Sequence, residues 1–173
     1  MHLIHAAAVP AAILLTGCAA VSAPSAPVTP AALRPPADQV LQLEALATGV
    51  QVYQCSRKAD ATHEWVFKAP EATLASRSGQ SLGRHYAGPT WESTDGSTVV
   101  GEVKGQDAGP DPSAIPWLLL AAKQNTGAGT FGATRSIQRV ATRGGVAPST
   151  ACDATRVGQV ARVPYTATYY FYR

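Results

Sequence analysis

The chain is poor in charge and in sulfur, and it lacks the S-x-x-K and H-E-x-x-H signatures of two large hydrolase classes. Only 14% of its 173 residues are Asp, Glu, Lys or Arg, and fourteen basic against eleven acidic side chains give a formal net charge of +3. Apart from Arg57-Lys58 the basic residues stand singly, with no block of five or six. The electrostatic footprint of nucleic-acid binding is therefore missing, and no nucleic-acid partner is expected. No S-x-x-K or H-E-x-x-H occurs, which counts against the families that depend on them. His63 and His85 stand apart without H-x-x-x-H spacing, so no metal site is expected, and nothing calls for a cofactor. There is no apolar run long enough for a membrane-spanning helix, since Ala6–Leu15 (AAAVPAAILL) has only the length of a signal-peptide core.

What is there begins with an address. Leu15-Thr16-Gly17-Cys18 resembles the lipobox of bacterial lipoproteins, which implies that residues 1–17 are a signal peptide and that Cys18 becomes the acylated first residue. One acyl chain binds a membrane only marginally, whereas the several that the resemblance implies, palmitate among them, make a lasting anchor. Ala19 after the cysteine, in place of Asp, implies the outer membrane, facing the periplasm or the cell surface. No Lys or Arg precedes the apolar run, and ordinary secretory cleavage near Ala20 or Ala23 is the alternative. Residues 18–37 are rich in Ala, Pro and Ser without periodicity, and they are expected to be a semi-stiff tether. Residues 38–173 are one domain's worth of chain.

Cys55 and Cys152 are the remaining cysteines. An even pair in an exported domain predicts a disulfide tying an early strand to a late one; a Cys55 nucleophile served by His85 is the competing reading. Short runs of strand character recur between Gly and Pro turns: 49–55, 64–68, 98–103 and 160–173. The run Ile115–Lys123 is ambiguous between strand and helix and is taken as strand. The last run carries aromatics on both faces, so both should be covered. The expected fold is all-β, an antiparallel sandwich or barrel-like single domain.

The densest stretch is HYAGPTWESTDGS, residues 85–97. Asp95-Gly96 predicts a two-residue hairpin turn with positive φ at both residues, placing Glu92 opposite Val99 and Trp91 opposite Val100. Trp91 then faces the core and Glu92 the other side. Glu92 and His85 are the candidate catalytic residues, although a solvated carboxylate and a packed histidine are the ordinary readings of both. Gly127–Gly132 fits G-x-G-x-x-G, but β-branched residues follow where a helix would have to begin, so a dinucleotide site is rejected. Asp107–Asp111 offers too few oxygens for calcium and is read as a turn.

Val52–Cys55, Gly88–Glu92, Asp95–Ser97, Ile137–Arg139, Thr142–Pro148, Cys152 and Tyr169–Tyr172 together resemble an exported family of bacteria and fungi known as domain of unknown function 3455. The likeness spans nearly all of residues 40–173. It implies export and a Cys55–Cys152 pair, and it brings no established activity or catalytic residues. Two functional classes stay open. One is a non-enzymatic binding or structural domain of the envelope, taking a glycan or small apolar ligand on an aromatic platform, Trp117 or Tyr170, with Arg84 and Glu92 as polar neighbours. The other is a hydrolase of envelope glycans or esters using Glu92 with His85 or Asp107.

Overall fold

The computed structural model describes residues 24–173. The expected signal peptide, the lipobox-like stretch with Cys18, and Ala20 and Ala23 lie outside the described residues. Eight antiparallel strands follow one another around a closed up-and-down barrel: β1 (Leu41–Arg57), β2 (His63–Ala75), β3 (Ser81–Tyr86), β4 (Thr90–Ser93), β5 (Thr98–Asp107), β6 (Trp117–Thr126), β7 (Ser136–Gly144) and β8 (Val160–Tyr172). The all-β expectation is met by a barrel rather than by two facing sheets. The ambiguous Ile115–Lys123 run is strand from Trp117 onward.

Period-two alternation decides which side chains fill the barrel. On β8, Tyr165, Ala167, Tyr169 and Phe171 point inward, where Tyr169 and Phe171 meet Leu74, Trp91, Val99, Leu120 and Ile137. Trp91 is only 1% exposed. Its indole fits because β5 carries Gly101 beside the ring, where a Cβ would lie 2.9 Å from it. One end of the barrel is plugged by Phe131, which the β6–β7 connection folds inward against Phe171. The Gly127–Gly132 motif thus belongs to a strand-to-strand connection.

Asp95 latches that plug. Its carboxylate accepts from the Ser97 amide and hydroxyl within its own turn, and from the Thr130 amide (2.8 Å) and hydroxyl (2.6 Å) across the gap. These hydrogen bonds hold its carboxyl well below the usual carboxylate range, those from Ser97 and Thr130 side chains foremost. The turn corrects the expected register by one residue. Ser93 and Ser97 close a loop of Thr94, Asp95 and Gly96, with positive φ at Gly96 alone of the three. Trp91 therefore faces Val99 and Glu92 faces Thr98. A three-residue loop with glycine at the left-handed position is the next most favoured hairpin solution, and here it lets Asp95 reach Thr130.

Cys55 and Cys152 form a disulfide with Cα atoms 5.5 Å apart. It ties β1 to the β7–β8 connection rather than to a late strand, and it leaves Cys55 no thiol for the nucleophile reading.

The segment expected to be a tether up to residue 37 is in part a strap applied to the barrel. A short 3₁₀ turn, Ala31–Leu33, sets Leu33 at 0% exposure against the outside of the barrel. Gln138 Nε2 donates to the Leu33 carbonyl while its Oε1 accepts from the Tyr172 hydroxyl. At Gly105 of β5 the strap backbone comes so close that a Cβ would collide with the Ala32 carbonyl. The strap is part of what covers the outward aromatic face of β8. Tyr170 and Tyr172 pack there with Val140, and with Leu41 and Trp117 at the margin.

Candidate functional site: a notch in the barrel wall

The barrel wall is uneven because β3 and β4 are short. β2 pairs with β3 only over Ala72–Ala75, and β5 pairs with β4 only over Thr98–Val100. Beyond those rungs, β2 and β5 face each other across a notch whose lower lip is the Gly88-Pro89 turn. Two side chains in the inward phase, Phe67 and Val103, are left 49% and 50% exposed there because no wall strand covers them. Behind the notch lies a cavity of about 490 Å³, lined further by Tyr53, Ile115, Leu118, His85, Trp91, Tyr169 and Arg139. That volume is in the range of small-molecule sites, and eight-stranded barrels have an interior suited to one small ligand.

The floor is aromatic and polar at once. His85 is 3% exposed, stacks on Trp91 with ring centroids 4.2 Å apart, and meets Tyr169 edge-on at 5.2 Å. Its Nδ1 donates to the Thr90 carbonyl at 2.8 Å. Burial pushes the imidazole down to about 3, with the Arg139 charge acting in the same direction and the Thr90 bond against it. His85 is consequently neutral at ordinary pH. A general base works best with a pKa near the working pH, so this imidazole is poorly matched to acid–base catalysis.

Arg139 reaches in from β7, opposite Tyr169 on β8. Its Nε and Nη2 donate to the Pro116 carbonyl at 3.1 and 2.8 Å, fixing the guanidinium to the β5–β6 connection. Burial raises the hydroxyls of Tyr53, Tyr165 and Tyr169, and the Arg139 charge opposes that rise at all three. Tyr53 donates to the Gly145 carbonyl at 2.7 Å. Gln51 Nε2, Trp91 Nε1 and the Tyr169 hydroxyl, on residues that line the cavity, have no hydrogen-bond partner of normal geometry, and neither has the Tyr165 hydroxyl next to Tyr169. Buried polar groups are nearly always paired, so three unpaired groups on residues lining one cavity ask for an explanation.

Residues 36–173 match the family described as a protein of unknown function, DUF3455. The chain belongs to that family. No curated protein and no solved structure matches it significantly. The DUF3455 domain thus brings a fold and a cavity without an inherited activity, and its chemistry has to be read from its own side chains.

The residues singled out from sequence are not brought together by the DUF3455 barrel. His85 points into the cavity, whereas Glu92, one rung away on β4, points outward. There Glu92 accepts from Arg84 Nη2 at 2.9 Å and from the Tyr86 hydroxyl at 2.8 Å. Those two bonds hold its carboxyl below the usual range, the Arg84 one foremost. Asp107 ends β5 and accepts from the Gly109 amide. Glu92 with His85 or Asp107 is therefore not assembled as an acid–base pair. Trp117 and Tyr170 lie in the outer cluster with Val140, where the Tyr170 hydroxyl donates to Glu44, while Arg84 sits beyond them on β3. The expected platform with Arg84 and Glu92 is not formed either.

A census of all eleven carboxylates reinforces this. Seven (Asp38, Glu44, Glu64, Glu71, Glu92, Glu102 and Asp153) pair with Arg or Lys. Five (Asp60, Asp95, Asp107, Asp111 and again Asp153) accept from the amide two residues ahead in their own turns. None lines the cavity. Sequence reasoning missed Gln51, Arg139, Tyr169, Phe67 and Val103. The signal for Gln51 is its place in the phase of Ala45, Ala47, Tyr53 and Cys55, a polar residue on an otherwise core-facing row. Arg139 shares the inward phase with Ile137.

Proposed function

We propose that this DUF3455 domain is an exported, non-enzymatic binding protein that takes one small, largely apolar molecule into the notch between β2 and β5. The observation that carries this reading is the cavity of about 490 Å³, with inward-phase Phe67 and Val103 uncovered at its mouth. Apolar side chains exposed in the core phase of a strand lose the burial that the rest of that row enjoys, and a ligand would restore it. The site also has the composition of a binding pocket, aromatic and aliphatic with few polar groups. Anchoring at the outer membrane through acylated Cys18 belongs to the same proposal and rests on Leu15-Thr16-Gly17-Cys18. Because the strap is engaged by Thr29, the chain between Cys18 and the barrel spans at most about 40 Å when fully extended, which keeps the domain near the lipid.

The test uses the neutral dye N-phenylnaphthylamine, whose fluorescence rises in apolar sites. Saturable binding to the wild type at one site per chain, abolished in Val103→Trp at unchanged melting temperature, is expected. Absence of saturable binding by the wild type would overturn the proposal. For the anchor, intact-mass analysis of the native protein should find lipid on Cys18 as first residue; a lipid-free terminus beyond Cys18 would refute it.

A further inference from the structure

The polar groups at the cavity include a cation and no anion. Gln51 Nε2 and Trp91 Nε1, on residues that line it, are donors without a partner, the Tyr169 hydroxyl beside Tyr165 has none of normal geometry, and Arg139 is a cation. Gln51, Tyr165 and Tyr169 are 2%, 3% and 0% exposed, so water at the surface does not satisfy them. Arg139 spends two of its nitrogens on one neutral carbonyl, and among the described residues it has no carboxylate within ion-pair distance. Lys68 at the mouth is likewise without an ion-pair partner among the described residues, and no Asp or Glu lines the cavity. A partly buried guanidinium facing several unpaired donors is the inverse of an anion, and a planar carboxylate is the anion whose geometry matches an arginine fork.

We infer that the ligand of the notch is a small apolar monocarboxylate, its carboxylate held by Arg139 with Gln51 and Tyr169, and its apolar body lying toward Phe67 and Val103. The inference rests on the binding reading above and adds the chemical class of the ligand. The rim fits that orientation. Phe67 packs edge-on against Tyr53 at 5.7 Å, so an apolar chain leaving the polar floor runs along aromatic surface to the opening. The stacked His85–Trp91 pair stiffens the floor.

The test compares phenylbutyrate with its primary amide and with phenylbutanol, by calorimetry on the disulfide-bonded protein at neutral pH. The three share one apolar body and differ only in the polar end. The carboxylate is expected to bind at least tenfold more tightly than either neutral analogue, and Arg139→Gln is expected to erase that preference. Equal binding of all three would overturn the carboxylate assignment and leave the notch as a site for neutral apolar molecules. Binding of none would overturn both the assignment and the binding reading. The wild-type comparison decides the matter even if Arg139→Gln fails to fold, because the preference among the three compounds needs no variant.

Discussion

His85 gives the barrel a pH dependence that can be worked out in advance. Its imidazole, held at about 3 by burial, stays neutral in the folded protein across the whole mild acid range. An unfolded chain binds a proton there with a pKa of about 6.5. The folded pKa is depressed, so the unfolded state binds more protons and stability falls as pH falls. Above pH 7 His85 contributes no slope. Between pH 7 and pH 5 the linkage amounts to a loss of about 2 kcal/mol, and by pH 3 it reaches about 4 kcal/mol, from about 1.36 kcal/mol per unit of displacement. Urea unfolding of the wild type and His85→Phe from pH 8 to pH 4.5 measures it. Phenylalanine keeps a ring on Trp91 but cannot take a proton. It leaves the Thr90 carbonyl without its donor, at a pH-independent cost of about 1 kcal/mol. The wild type should show about one proton more slope below pH 6 than the variant; the carboxylates, protonating near pH 4 in the unfolded chain, add a slope below about pH 5.5 that both proteins share, so the difference between them isolates His85. An identical slope in both proteins, or a His85 ring resonance titrating near pH 6.5, would refute the assignment of a neutral, buried imidazole.

Three further outcomes follow from the packing. Leu33→Ala should lower stability by about 2–5 kcal/mol in chemical denaturation and expose the strap to proteolysis ahead of Asp38; an unchanged midpoint would mean that the strap is not docked in solution. Reducing the Cys55–Cys152 bridge, 97 residues apart, should lower stability by up to about 4–5 kcal/mol in the chain-entropy account, and thiol titration of the unreduced, denatured protein should find neither cysteine free. Asp95→Ala should lower the melting temperature and speed amide exchange over residues 127–135, whereas Glu92→Gln should do neither. The Asp95 contribution is expected to be present above the ordinary carboxylate range and to fade as pH falls below about 4, because its folded pKa is depressed.

The strand content was legible because these strands announce themselves. Alternation in 49–55, the aromatic run of 160–173 and the Asp95-Gly96 turn are local, and each is set by residues within a few positions of one another. Closure into a barrel was not legible, since it depends on β8 finding β1 across more than a hundred residues, and no local pattern separates a closed sheet from two facing ones. The two-faced aromatics of β8 did signal that something covers Tyr170 and Tyr172. Part of that cover proved to be the Pro-rich segment itself, whose composition reads as a spacer because its only large apolar anchor is Leu33, and whose docking depends on Gly105 and Gln138 far away in sequence. The hairpin register slipped by one because Asp-Gly serves both two- and three-residue loops, and the choice was made by Thr130, outside the hairpin.

The candidate site was the least legible part, for the same reason on a larger scale. Glu92 and His85 drew attention as reactive types close in sequence, yet adjacent rungs with opposite side-chain phase put them on opposite faces of the wall. Arg139, Tyr169 and Gln51 come from three strands and meet only once the barrel closes. The notch itself is made by what β3 and β4 lack in length, and strand length is the quantity a sequence reading delimits worst.

The indole N–H of Trp91 offers the most direct test of the binding claim. It lines the cavity without a hydrogen-bond partner, whereas the Trp65 indole donates to the Thr150 carbonyl at 2.9 Å away from the notch, and Trp117 lies in the outer cluster. In a nitrogen–proton correlation spectrum, titration with phenylbutyrate should shift the Trp91 indole resonance saturably and leave those of Trp65 and Trp117 in place. A saturating shift at Trp117 or Trp65 with Trp91 unmoved would place the ligand outside the barrel and contradict the notch as the site.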